Sequence, residues 1–185
     1  MITFRFDDIC INTDMELVQK MTDFMFKNFS RCRVIYAVSP LVNKIVSTDI
    51  IVRQRVFPSI INAMSDYREF YKVDLAGIPE LDSRVVKAGH GLIHIDHRLL
   101  SKEAQELSII ASCSLVNTIV FVPPFNKWNK ATKEICDEHG IELIKFEDGW
   151  LSMEHNDYDH NMNLWYLHSR EWTYENFVAW FQGSN

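Results

Sequence analysis

The chain alternates short apolar runs with amphipathic stretches. Ile2 to Phe6 alternates apolar and polar and stops at Asp7-Asp8, the pattern of a strand that delivers two carboxylates to its C-terminal end. Thr13-Asp14 can cap a helix running to about Phe29, in which Leu17, Val18, Met21, Phe24 and Met25 recur at helical spacing. Arg33 to Val38 reads as a second strand, closed by Ser39-Pro40. Residues 41–83 are the least periodic part and read as an elaboration on the scaffold. Within them Ile50-Ile51-Val52 suits a short strand, Pro58 to Phe70 a helix with proline near its start, and Gly77 and Pro79 a loop. Arg84 to Ala88 is a strand, Ser101 opens a helix to about Cys113, and Asn117 to Val122 is a buried-type strand ended by Pro123-Pro124. Asn129 to His139 is an amphipathic helix that Gly140 stops, and Ile141 to Phe146 is another strand. The polar stretch Ser152 to Asn163 reads as a loop. Leu164 to Leu167 is the last strand, followed at once by His168, and Thr173 caps a final helix from Tyr174 to Phe181.

Strands alternating with helices imply parallel pairing and an α/β fold, expected here as one domain over residues 1–185. In such folds the C-terminal ends of the strands form the working face. Asp7-Asp8, the stretch Gly89 to His97, Pro123-Pro124-Phe125 and His168 all fall at such ends. Their convergence on one rim is the main functional signal of the chain.

Composition narrows the partners. Of 185 residues, 47% are hydrophobic and 24% charged, ordinary values for a globular protein. The net charge of −6, with no basic run, argues against sequence-independent nucleic-acid binding. No apolar stretch is long enough to span a bilayer. The N-terminus enters a strand directly and carries acid early, unlike a secretory signal, so a cytoplasmic location is expected. The scattered Cys10, Cys32, Cys113 and Cys136 are then expected as reduced thiols. Nothing in the sequence specifies the oligomeric state.

The rim carries the residue types of a metal-assisted hydrolase. His90 and His94 stand four apart and can face one way, and neutral imidazole is the commonest protein metal ligand. Two histidines and one carboxylate suit a divalent ion with an open position. One aspartate of the Asp7-Asp8 pair could ligate while its neighbour serves as general base. His168, on another strand end, is placed to protonate a leaving amine or alcohol. Taken singly, each feature has a plainer reading: a turn or helix cap for Asp7-Asp8, a strand stop for Pro123-Pro124, loop histidines for His90, His94 and His168. Asp96 and His97 are expected beside the ligands or at the surface rather than among them, and His155 and His160 in solvent.

The ordered set resembles the polysaccharide deacetylase family, the NodB-homology domain of carbohydrate esterases. Five motifs follow in order over residues 4–168. Arg5-Phe6-Asp7-Asp8-Ile9 resembles the first, His90-Gly91-Leu92-Ile93-His94 the second and Val122-Pro123-Pro124-Phe125 the third. Glu147-Asp148-Gly149-Trp150 is a loose counterpart of the fourth, and Leu167-His168 resembles the fifth. The resemblance implies a distorted, incomplete (β/α) barrel holding one divalent metal ion, zinc foremost. It implies Asp8, His90 and His94 as metal ligands and Asp7 as the base that activates the attacking water. It gives the Phe125 N–H to the oxyanion, His168 as general acid, and Leu167 and Trp150 to the substrate pocket. This sequence departs from the family at Ile9, Gly91, Val122 and Asn126. Val122 stands where the family usually has an arginine that orients the base, and Arg5, Arg98 and Arg170 are the candidates to replace it.

The resulting expectation is a metal-dependent hydrolase removing an N-acyl group, N-acetyl foremost, from a sugar. An intermediate of surface-polysaccharide biosynthesis suits the compartment. Two alternatives stand beside it. One is a non-catalytic carbohydrate-binding or scaffold protein on the same fold, motivated by Val122 and the weak fourth motif. The other is a hydrolase of a non-sugar amide.

Overall fold

A computed structural model describes residues 2–10, 13–43, 70–72, 82–144, 158–159, 164–168 and 172–183. Strand β1 (Ile2–Ile9) lies inside the main sheet, with parallel β2 (Cys32–Val38) on one side and parallel β9 (Leu164–His168) on the other. Beyond β2 follow β5 (Val85–Gly89), β6 (Val120–Phe121) and β7 (Glu142–Leu143), all parallel. Beyond β9 lies β8 (Tyr158–Asp159), antiparallel. The order β7-β6-β5-β2-β1-β9-β8 is that of an open sheet, an incomplete (β/α) barrel. A small antiparallel pair, β3 (Leu41–Asn43) with β4 (Phe70–Lys72), stands apart.

Each face of the sheet is covered because alternate residues of each strand point opposite ways. Phe4 and Phe6 of β1, with Val34, Tyr36 and Val38 of β2, face α1 (Met15–Asn28) and α4 (Tyr174–Gly183). Val18, Met21 and Met25 of α1 and Phe177 and Phe181 of α4 close this core. Asp14 caps α1 by accepting from the Leu17 N–H. On the other face, Ile35 and Ala37 pack with Ala88, Val120, Val122 and Ile144. Helix α2 (Lys102–Val116) and helix α3 (Lys130–Glu138) share a third cluster, where Ile109 and Cys113 meet Phe121, Ile135 and Cys136. All four cysteines are free thiols.

Several boundaries differ from the sequence reading for physical reasons. Helix α2 runs on to Val116, because Asn117 adopts the left-handed conformation (φ 55°) that ends it. The strand expected from Asn117 is therefore only Val120–Phe121. Tyr158–Asp159, expected within a loop, pairs with β9 instead. Phe70 belongs to β4 rather than to a helix. The strand expected at Ile50–Val52 and the rest of the helix from Pro58 lie outside the described residues, as do Trp150, His155, His160 and Arg170. No helix among the described residues is long and apolar enough to cross a membrane.

Candidate functional site

The site begins with an irregularity in β1. In a regular strand Asp7 and Asp8 would point to opposite faces. Here the pairing of β1 with β2 runs Phe6↔Tyr36 and then Ile9↔Val38, so one extra residue is inserted on β1. Asp8 absorbs it by taking a left-handed backbone (φ 57°). Phe6 and Ile9, three apart, consequently share one core cluster. The bulge allows both carboxylates to serve the same end of the sheet.

Asp7 is gripped by Arg5, two residues earlier on the same strand face. The Arg5 Nε donates to Asp7 Oδ1 and Nη2 to Oδ2, each at 2.7 Å. Nη2 also donates to Asn126 Oδ1 at 2.6 Å. Both ionic side chains are buried, at 0% and 5% exposure for Arg5 and Asp7. Arg98, another of the three candidate arginines, is instead paired with Asp96 at 2.7 Å.

The second carboxylate meets two histidines. One ligand atom from each of Asp8, His90 and His94 lies within 4.8 Å of the others. His94 Nε2 stands 2.9 Å from Asp8 Oδ1 and His90 Nε2 3.5 Å from the same oxygen. The tautomer of His90 follows from its other nitrogen. Nδ1 lies 2.8 Å from the Val122 carbonyl oxygen, which can only accept, so Nδ1 carries the proton. In the neutral ring Nε2 is then a lone pair. It is buried, has no hydrogen-bond partner among the described residues, and faces a carboxylate oxygen. Two electron-rich atoms facing each other call for a cation between them. An Nδ1–H donated to a carbonyl is also the usual support of a metal-ligating histidine. The residues present therefore fit a divalent metal. Burial works to raise the Asp8 carboxyl's pKa, but His94, by its charge and its hydrogen bond, outweighs it and holds the group far below the usual carboxylate range. An ionised Asp8 is the form that ligation requires.

The loop that carries the histidines is built from β5 outward. The His90 N–H donates to the Val38 carbonyl and its own carbonyl accepts from Ser39 Oγ, which ties the loop to the end of β2. Gly91 follows at φ +76°, where an added Cβ would stand 2.7 Å from the Ile93 carbonyl oxygen and 3.0 Å from both the His97 ring and Pro124. A side chain at this position cannot be accommodated without displacing the Ile93 carbonyl. Gly91→Ser is expected to cost at least about 2 kcal/mol in urea unfolding and to loosen the histidine loop. An unchanged unfolding midpoint would contradict this.

His97 lies beside the site, fully buried. Its Nδ1–H donates to the Ile95 carbonyl at 3.0 Å, leaving Nε2 to accept from Ser108 Oγ at 3.0 Å. Ser108 Oγ in turn accepts from the Leu92 N–H. This chain of bonds staples residues 92–97 to α2. Burial pushes the His97 imidazole pKa down to about 4. Below about pH 6.5 the unfolded chain therefore takes up a proton that the folded chain refuses until about pH 4. Stability from this group is complete above pH 6.5 and is lost as pH falls through that window, by on the order of 3 kcal/mol. The measurement is the stability difference between wild type and His97→Gln across pH 4–7, which is expected to shrink toward acid.

Phe125 sits in the 3-10 turn Pro124–Asn126 with its ring centroid 4.2 Å from that of His94. Phe125 and Asn126 are left-handed (φ 56° and 53°), as is Asp8. Such conformations cost roughly 1–2 kcal/mol per non-glycine residue, and here they gather around the site. His168 ends β9 as the register partner of Asp7. Leu167, partner of Phe6, is fully buried in the first core. Sequence reasoning did not single out Ser108 or the pairing of Arg5 with Asn126. Period-two alternation, which puts Arg5 on the face of Asp7 in an otherwise apolar strand, is the signal that could have found the Arg5–Asp7 pair.

No protein-family model and no curated protein matches the sequence. Solved structures do resemble the fold. The family 4 carbohydrate esterase from Streptomyces lividans, in complex with acetate, aligns over 96% of this chain and 82% of its own, at 11% identity and a TM-score of 0.50. The chain has the family 4 carbohydrate esterase fold. A family 4 pseudoenzyme from Bacillus anthracis aligns over 78% of this chain at 10% identity and a TM-score of 0.47, and the chain spans only 42% of its length. A Streptococcus pyogenes deacetylase, in complex with acetate, aligns over 96% of this chain and 95% of its own, at 12% identity and a TM-score of 0.42. In this esterase fold the strand ends carrying Asp7-Asp8, His90 and His168 share one rim of the sheet.

Proposed function

We propose that the protein is a metal-dependent hydrolase that removes an N-acyl group, N-acetyl foremost, from a sugar. The observation that carries this is the buried His90 Nε2 lone pair facing Asp8 Oδ1, with His94 on the same oxygen and the Arg5-gripped Asp7 next in sequence. Asp8, His90 and His94 would hold one divalent ion, and two imidazoles with one carboxylate suit zinc. When bound, the ion supplies Lewis-acid polarisation of the acyl carbonyl and of water.

The protein's own groups do the rest. Asp7, fixed by Arg5, takes the proton of the attacking water. The Phe125 N–H donates to the carbonyl oxygen as it gains charge. His168 gives a proton to the departing amine, while Leu167, expected in the acyl pocket, is fully buried in the core beneath the rim. The esterase fold supports a carbohydrate substrate. The ground for a non-catalytic reading is Val122, and the Arg5 guanidinium on Asp7 weakens it. The test is acetate release from an oligomer of N-acetylglucosamine by zinc-loaded protein, run beside simple N-acetyl amides. Sugar binding without acetate release would favour the non-catalytic alternative, and release from the simple amides alone would favour the non-sugar one.

A further inference from the structure

We infer that Arg5, braced by Asn126, positions the Asp7 carboxylate and so fills from β1 the place that valine leaves open at position 122. The inference rests on the reading of Asp7 as the base.

A buried guanidinium persists only where acceptors surround it. Arg5 has them in a set arrangement. Its Nε and Nη2 take one oxygen each of Asp7, and this planar fork fixes the plane of the carboxylate as well as its place. A single ammonium would fix only the distance. The third bond, from Nη2 to Asn126 Oδ1, comes from the turn that sets Phe125 against His94. The guanidinium thus joins the carboxylate on β1 to the turn after β6. Val122 meanwhile is fully buried among apolar side chains, and its carbonyl oxygen holds His90 Nδ1. Its side chain has no group that could donate. Arginine at position 5, valine at 122 and asparagine at 126 are therefore one exchange: the donor stands on β1, an apolar residue fills position 122, and an asparagine accepts a further bond from the same guanidinium nitrogen that holds Asp7. Asparagine suits position 126 because its backbone is left-handed there.

The test compares Arg5→Lys, Asn126→Gly, Arg5→Thr and the relocation pair Arg5→Thr with Val122→Arg. For each, zinc affinity, Tm and the kcat and KM of acetate release from a pentamer of N-acetylglucosamine are measured. Glycine accepts the backbone of position 126, so Asn126→Gly is expected to fold. Its kcat is expected to fall about 10-fold and that of Arg5→Lys about 100-fold, with KM and zinc affinity within about two-fold of wild type. The relocation pair is expected to recover at least about 10-fold over Arg5→Thr alone. Full kcat in Arg5→Lys and Asn126→Gly overturns the positioning role. So does a kcat loss matched by equal losses of Tm and zinc affinity, which marks a merely structural ion pair. Wild-type protein that binds zinc but releases no acetate overturns the hydrolase reading itself and the role of Arg5 with it.

Discussion

Asp8→Ala is expected to lose the rise in melting temperature that zinc is expected to confer on the wild-type protein. A metal that binds only the folded chain stabilises it by about 4 kcal/mol at a thousand times its Kd, which for a domain of this size is about 10 °C. The effect is large because Asp8 is the hub of the cluster: both His90 Nε2 and His94 Nε2 approach its Oδ1. Without that carboxylate two imidazoles remain, too few for a tight site. The apo protein should respond differently. Asp8 is held ionised by His94, and its left-handed backbone is a standing strain. Alanine relieves neither the strain nor the bulge and gives up the contact with His94, so the metal-free Tm is expected to fall, and the zinc shift is read against each protein's own metal-free value. The measurement is a thermal melt with zinc and with chelator. A zinc-dependent shift that survives in Asp8→Ala would remove Asp8 from the ligand set.

Asp7→Asn is expected to lower kcat by about 1,000-fold with zinc affinity nearly unchanged. The amide cannot accept the proton from water. It also presents an N–H to one arm of the Arg5 fork, which needs an acceptor on both sides. Leaving that buried guanidinium half-matched is expected to cost on the order of 3 kcal/mol of stability. Zinc titration on the same sample separates the two effects, since retained affinity shows that the site is still assembled. Acetate release at the wild-type rate would exclude Asp7 as the base.

How much of this was legible in the sequence differs from residue to residue. The parallel α/β sheet was legible, because strands alternate with capped helices, while its form as an incomplete (β/α) barrel came from the family resemblance. That the Asp7-Asp8 pair and His90 and His94 share one rim was legible too, because parallel strands bring their C-terminal ends together, and the choice of Asp8 came from the resemblance. The bulge was not. Period two alone sends Asp7 and Asp8 to opposite faces, and only the pairing with β2 reveals the extra residue. Arg5 could be named as one of three arginines, and alternation puts it on the face of Asp7, but its other partner, Asn126, lies 121 positions away in the chain. The burial of His97 depends on Ser108, one and a half helical turns into α2, and no local pattern marks that contact. The extension of α2 turned on one left-handed asparagine. Apart from Asn117, the missing information was a tertiary contact rather than a local preference.

The placement of Arg5 has a mechanical consequence. Because the guanidinium and the carboxylate it grips lie two residues apart on one central strand, hydrogen-bonded on both sides, they move as one body. A guanidinium supplied from position 122 would tie the aim of Asp7 to every displacement of the neighbouring turn. Here the heading of Asp7 is set mainly within one strand, and the Pro124–Asn126 turn bears on it only through the single bond from Arg5 to Asn126.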